Sequence, residues 1–194
     1  MNETIQNLAK AFIGESQARN RYSFFSKIAK KEGYEQIADI FLITADNERE
    51  HAKWLFRMIN ELKKNLPEDI DELQVEGAVP LTLDNTIRNL KAAISGERYE
   101  RETMYPKFAD TAEKEGFYDI ATRLRAIGKS EEHHEERYMK LLKELEGETV
   151  FKKVGKVQWV CRKCGYVHEG ETPPQSCPSC SHPRNYFEMM CEQY

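Results

Sequence analysis

The first 160 residues of this 194-residue chain contain no cysteine, and all five (Cys161, Cys164, Cys177, Cys180 and Cys191) fall in the final 34. That segregation cuts the chain in two. Cys161-x-x-Cys164 and Cys177-x-x-Cys180 stand 12 residues apart, and two such knuckles place four thiolates around one tetrahedral metal ion. A tail of 38 residues buries too little apolar surface to fold unaided, so the metal must also hold it together. Spacing alone leaves two readings open, a structural zinc ribbon and a single iron that carries one electron. Cys191 has no partner knuckle and reads as a spare thiol; His168 and His182 read as loop residues.

The rest of the chain is helical in pattern. From about residue 3 to 146 apolar residues recur at three and four, and Ala, Leu, Glu, Lys and Arg dominate. Breaks near Gly33, across Asn65 to Pro80 (Pro67, Gly77, Pro80), near Gly116 and at Gly147 predict four long helices. The first and third connections are tight, so each joins an antiparallel hairpin. The middle one, of ~16 residues, can reach ~53 Å, further than the ~44 Å length of a 29-residue helix. Two hairpins joined by one crossover along the bundle is the ferritin-like arrangement. An internal repeat agrees: KKEGYEQIA at 30–38 answers EKEGFYDIA at 113–121 with an offset of 83, whereas Ile13-Gly14-Glu15 answers Ser95-Gly96-Glu97 with an offset of 82. One residue has entered the third helix between Glu97 and Gly116, an interval containing Pro106, and a π-bulge is expected there.

Helical phase then decides which carboxylates point inward. The stripes Leu8-Phe12-Glu15-Ala18-Tyr22-Phe25-Ala29, Ile37-Phe41-Thr44-Glu48-His51-Leu55-Ile59-Leu62 and Ile120-Leu124-Ile127-Glu131-His134-Tyr138-Leu141-Leu145 set Glu15 and two Glu-x-x-His motifs among apolar residues. The third stripe runs Leu83-Ile87-Leu90-Ile94-Glu97, then Glu100 and Arg101, then Met104, Tyr105 and Phe108. Like charges buried at one depth require compensating cations. Arg19 and Arg101 could supply part of that charge but would leave both histidines unexplained. One Glu from each of two helices and Glu-x-x-His from each of the other two is the ligand set of di-iron or di-manganese carboxylate bundles, and mixed carboxylate and imidazole donors suit those metals. Glu100 is surplus to the set, either a further ligand or a solvated or Arg-paired residue. His133 is out of phase and reads as surface. Tyr22 and Tyr105 read as core residues that could also donate hydrogen bonds to ligands.

The tail's flanks, Gly165-Tyr166, Cys177-Pro178 and the aromatic residues Trp159, Tyr166 and Phe187, resemble rubredoxin. The whole chain resembles the rubrerythrins, through Gly14-Glu15-Ser16-Gln17-Ala18-Arg19, Glu48-Arg49-Glu50-His51, Gly96-Glu97 to Met104-Tyr105-Pro106, Glu131-Glu132-His133-His134 and the paired knuckles ending Cys180-Ser181-His182-Pro183. One departure is Ser181, where rubredoxins usually have Gly; a non-Gly residue at positive φ costs of order 1 kcal/mol. The resemblance implies an all-α ferritin-like four-helix bundle over 1–146, a linker over 147–156, and a small metal-stabilised rubredoxin-like β/loop domain over 157–194. It implies di-iron ligands Glu15, Glu48, His51, Glu97, Glu131 and His134, with Glu48 and Glu131 bridging, and a mononuclear iron on Cys161, Cys164, Cys177 and Cys180, zinc being a substitute. Glu100 matches an additional glutamate that exchanges with the histidine at His51 as redox state changes. Tyr22 and Tyr105 match tyrosines beside the cluster.

The activity so implied is a non-haem peroxidase that reduces hydrogen peroxide to water in oxidative-stress defence, with Glu100, His51, Tyr22 and Tyr105 at the reacting centre. Electrons would enter through the tail from rubredoxin or an NAD(P)H-dependent reductase, in a homodimer or larger homo-oligomer. The rivals are a ferritin-like ferroxidase for iron storage and a non-enzymatic scaffold with a structural zinc ribbon. A net charge of −4 argues against nucleic acid. No apolar run approaches the ~20 residues that cross a bilayer, and the first residues have no signal-peptide pattern, so a cytoplasmic protein is expected.

Overall fold

The sequence MNETIQNLAK opens directly into helix, and the computed structural model describes residues 2–66 and 70–192. Helix α1 spans Glu3–Lys31 and α2 spans Glu35–Lys63. Between them Gly33 sits at φ +87°, Tyr34 N–H donates to Ala29 O and Gly33 N–H to Lys30 O, closing the helix end with a left-handed residue that only glycine adopts without cost. Gly116 repeats the device at φ +84°.

The third stripe is one helix with an interruption. Helix α3 is Thr86–Tyr99, a π-helical turn occupies Glu100–Met104, and α4 continues over Tyr105–Lys114. The inserted residue therefore lies where the repeat offsets place it. Pro106 falls in the first turn of α4, where its missing N–H removes least. Helix α5 spans Tyr118–Glu146. One expectation needs correction: Leu83 is not in a helix stripe. The Asn85 side chain accepts from Arg88 N–H and caps α3, which starts at Thr86, so Leu83 precedes the helix and is exposed. The crossover is accordingly longer than its proline and glycine markers suggest. Pro67, one of those markers, lies outside the described residues.

Two apolar clusters fill the bundle, one built on Tyr22, Phe25, Phe41, Leu90 and Tyr138, the other on Leu8, Leu55, Tyr105, Phe108 and Leu124. On every helix the glutamates singled out above lie between a segment of one cluster and a segment of the other. The carboxylate layer is thus closed from both ends of the bundle. No helix among the described residues is long and apolar enough to cross a membrane.

Beyond α5, β1 (Val157–Cys161) pairs antiparallel with β2 (Val167–Gly170) on one side and β3 (Phe187–Met189) on the other. Trp159 and Phe187 pack with Cys161 and Cys177, and Trp159 Nε1 donates to Gly170 O at 3.0 Å. This small domain is seated on the bundle: the Arg162 guanidinium pairs with Asp39 of α2 and with Glu188, and Phe151 stacks on Tyr34 at the α1–α2 turn.

Candidate metal centres

Two overlapping sets of donors form in the middle of the bundle. Glu15, Glu48, His51 and Glu131 bring one donor atom each within 4.8 Å of one another, and so do Glu48, Glu97, Glu131 and His134. Glu48 and Glu131 belong to both sets, so two cations placed there would share them, with Glu15 and His51 serving one and Glu97 and His134 the other. All four of these glutamates are wholly buried, at 0% exposure.

Several polar atoms of this layer have no adequate partner among the described residues. His51 Nδ1 lies 2.9 Å from Glu48, 3.0 Å from Glu131 and 3.9 Å from Glu15; His134 Nδ1 lies 2.9 Å from Glu131, 3.2 Å from Glu48 and 3.3 Å from Glu97. A single ring nitrogen holds at most one proton and cannot satisfy three carboxylates. Despite these close approaches, Glu15 Oε2, Glu48 Oε1, Glu97 Oε2, both Glu131 oxygens and His134 Nδ1 are buried without a hydrogen bond. Groups orphaned in this way cost free energy unless something else takes their lone pairs, and a pair of cations would do so.

Arginine does not fill that role. Arg19 is exposed, and Arg101 pairs with Glu102, Glu132 and Glu135 instead of the inner carboxylates. Glu135, buried at 4% exposure, also holds Arg98 at 2.7 Å. It is a structural residue missed by the stripe argument; its position four after Glu131, opposite Arg98 and Arg101 beside Glu97 and Glu100, is the signal that identifies it.

The remaining sequence candidates surround the layer. Tyr22 O–H donates to Glu97 and Tyr105 O–H to Glu15, so each unshared glutamate is held by one phenol. Glu100 is buried, projects from the π-helical turn, and has no hydrogen bond or ion pair among the described residues. It belongs to neither four-residue set, and Glu15 is the charge it feels most. His133 is exposed.

Without cations the site is electrostatically frustrated. Burial raises the Glu15 carboxyl to about 7, with Glu48 adding to it, and raises Glu97 to about 8. Burial and then the charge of Glu15 push Glu100 well above the carboxylate range. Burial alone would lower both histidines, but hydrogen bonds to the surrounding carboxylates outweigh it, raising His134 to about 11 and His51 further. Burial leads the shifts of the glutamates and neighbouring carboxylates add to it, while the same carboxylates hold the histidines protonated; bound cations would relieve both.

In the tail, Cys161 Sγ and Cys180 Sγ are 3.7 Å apart, and Cys164 Sγ and Cys177 Sγ 3.6 Å. Disulfide sulfurs would stand at ~2.05 Å; four thiolates bonded at ~2.3 Å to a tetrahedral ion stand ~3.8 Å apart. The donors fit a single metal ion held by all four cysteines. The Tyr166 backbone N–H holds the Cys164 thiol down to about 6, whereas at Cys180 the His182 backbone N–H is outweighed by burial and the other three cysteines, which push the thiol up to about 12, so the four sulfurs do not ionise together without an ion. The knuckles are paired in geometry as well as in sequence: Gly165 at φ +76° and Ser181 at φ +59° each follow a second cysteine. Cys191 is exposed and outside this group.

Comparison with known proteins converges with this geometry. The sequence profile of the rubrerythrins matches residues 6–142, and that of the rubrerythrin rubredoxin-like domain matches residues 159–188. A rubrerythrin-type protein of Methanocaldococcus jannaschii is 65% identical over 195 residues, covering 100% of this chain and 96% of that protein. Rubrerythrin-1 of Clostridium acetobutylicum is 50% identical, covering 99% and 96%. Among solved structures, fully reduced, all-ferrous nigerythrin is 29% identical with a TM-score of 0.63, covering 96% of this chain and 86% of that one.

Proposed function

The chain belongs to the rubrerythrin family, and from that premise we propose that it is a non-haem di-iron peroxidase reducing hydrogen peroxide to water in oxidative-stress defence. Its two donor clusters are a di-iron centre and a rubredoxin-type iron site, and a domain of the latter kind takes electrons from a redox partner. The observation that carries the reading is the pairing on one chain of a two-metal carboxylate site with a one-electron four-cysteine site, with Glu100 buried beside the former and unpartnered among the described residues. A mineralising ferroxidase has no use for the second site.

Reduction of peroxide needs two electrons and two protons for each O–O bond broken. Iron held at the two centres would supply the redox chemistry, two electrons at the paired site and one at a time at the four-cysteine site. In this reading the bundle over 1–146 does the chemistry, 147–156 links, and the tail over 157–194 admits electrons. Glu48 and Glu131 would be shared by two ions, with Glu15 and His51 completing one donor set and Glu97 and His134 the other. Glu100, for which Glu15 is the strongest neighbouring charge, would be the alternative donor to His51. Tyr22 and Tyr105 fix the orientation of Glu97 and Glu15 through their O–H donors. The apolar clusters close the layer toward the two ends of the bundle. Rubredoxin or an NAD(P)H-dependent reductase is the electron donor, and the protein works in the cytoplasm as a homodimer or larger assembly.

The reading is tested by steady-state turnover of iron-loaded protein with such a reductase. One peroxide consumed for every two electrons, without ferric mineral, is the expected result. Mineral growing at the expense of oxygen, with peroxide untouched, would make it a ferroxidase.

A further inference from the structure

Two cavities flank the carboxylate layer, and they differ in chemistry. One, of about 430 Å³, opens on the histidine side between α2 and α5, and its walls are polar, with Asn47, Glu50, Lys129 and His133 beside His51 and His134. The other, of about 310 Å³, lies under the crossover segment between α1 and the π-helical turn. Its walls include Met104 and Phe108, both buried, together with Arg21 and Glu100, while Lys10 and Glu76, both exposed, also line it. Water or hydrogen peroxide needs little of that space, since a water's share of liquid volume is about 30 Å³. An apolar chamber with a few convergent polar groups is instead the form of a small-molecule pocket.

The polar groups are disengaged. Glu100 has no hydrogen bond or ion pair among the described residues, Arg21 has no ion pair there either, and its buried Nε lacks a hydrogen-bond partner. Arg21 lies over the Tyr22 ring and beside Gly96, one residue before Glu97. A guanidinium and a carboxyl, both unpartnered among the described residues, and buried apolar side chains lining one cavity match a molecule with a peroxide group on a compact hydrocarbon.

We propose that this cavity binds organic hydroperoxides, ROOH, with the hydrocarbon against Met104 and Phe108 and the peroxide oxygens toward Arg21 and Glu100. The inference rests on the peroxidase reading and extends its substrate class. The reaction is ROOH + 2 e⁻ + 2 H⁺ → ROH + H₂O. The O–O bond breaks, the alkoxy oxygen takes one proton to become the alcohol, and the hydroxyl takes the other and leaves as water. Both electrons come from the external one-electron donor that supports hydrogen peroxide turnover.

Gly14 provides the variant. A Cβ there meets nothing within 4 Å, so Gly14→Leu projects into the cavity while replacing a helix-interior glycine by a better helix former. Ala78→Trp fills the same space from the crossover. With iron-loaded full-length protein and a reductase, kcat/KM for cumene hydroperoxide is expected within tenfold of that for hydrogen peroxide. Each variant should lower it at least tenfold, while hydrogen peroxide, which has the histidine-side cavity, changes less than twofold. Independently of turnover, the product alcohol 2-phenyl-2-propanol should bind zinc-loaded wild type by calorimetry and bind at least tenfold more weakly to Gly14→Leu. Turnover of hydrogen peroxide alone with no alcohol binding, or equal losses of both substrates in the variants, would overturn the inference and leave the peroxidase reading intact. Turnover of neither by wild type would overturn both.

Discussion

Glu100 differs from the other inner carboxylates in kind. Glu15, Glu48, Glu97 and Glu131 are legible in the sequence because helical phase puts them on apolar stripes and their companions His51 and His134 complete a recognisable donor set. Phase could not say whether Glu100 was solvated, because it sits at the edge of its stripe and the extra residue begins there. Structure resolves this: it is 7% exposed and paired with nothing among the described residues. If it serves the reacting ion, Glu100→Ala should retain both ions of the paired site, measured by iron analysis, yet slow oxidation of the reduced site by peroxide at least tenfold. An unchanged rate would remove it from the chemistry. Ser181 tests a different residue-scale rule. Its φ of +59° is a left-handed conformation that glycine adopts freely, so Ser181→Gly should stabilise the metal-loaded tail by about 1 kcal/mol. Thermal unfolding followed at the thiolate-iron absorption would register this, and a lower midpoint would show that the serine makes a compensating contact.

At the level of elements, the insertion was readable because the two hairpins repeat: offsets of 82 and 83 bracket the π-helical turn at Glu100–Met104. That turn realigns the chain so that Glu97 before it, Glu100 at its start and Tyr105 after it can all face the site. The start of α3 was less legible. Leu83 extends the apolar spacing outward, but the Asn85 cap and the Asn89 side chain donating to Asp84 O decide where helix begins, and spacing carries no record of such bonds. Glu115 was not legible at all, since its role is long-range: its carboxylate accepts from Glu3 N–H and Thr4 N–H at 2.9 Å and so caps α1 from the other hairpin. Partial burial works against that charge, but the hydrogen bonds from Thr4 and Glu3 prevail and hold its carboxyl below the ordinary value of 4.5. A depressed value means the contribution is present above the unfolded-state value and fades as pH falls through the folded one. Glu115→Gln should therefore cost no more than about 1 kcal/mol at pH 7, with the gap to wild type closing below about pH 4 in denaturant titrations. A gap that stays constant with pH would mean the charge is irrelevant to the cap.

Across the whole molecule the division into a helical body and a cysteine-held tail is visible in the cysteine distribution alone, whereas the seat between them is not. It depends on Arg162 bridging Asp39 and Glu188 and on Phe151 stacking against Tyr34, contacts between residues whose types announce nothing. The tail's place in the account is to admit electrons. Cys161→Ser should accordingly abolish reductase-driven turnover while leaving chemically reduced bundle iron able to react with peroxide in a single turnover; intact reductase-driven turnover would show another route in. Whether the buried carboxylate layer serves as a di-iron site for peroxide is decided by rapid mixing. Anaerobically reduced, iron-analysed protein would be mixed in stopped flow with hydrogen peroxide and, separately, with oxygen, following visible absorption. Oxidation by peroxide at least tenfold faster than by oxygen, with the thiolate-iron colour returning, is the predicted result. Faster oxidation by oxygen, or no reaction with peroxide in protein that carries its full iron, would contradict it.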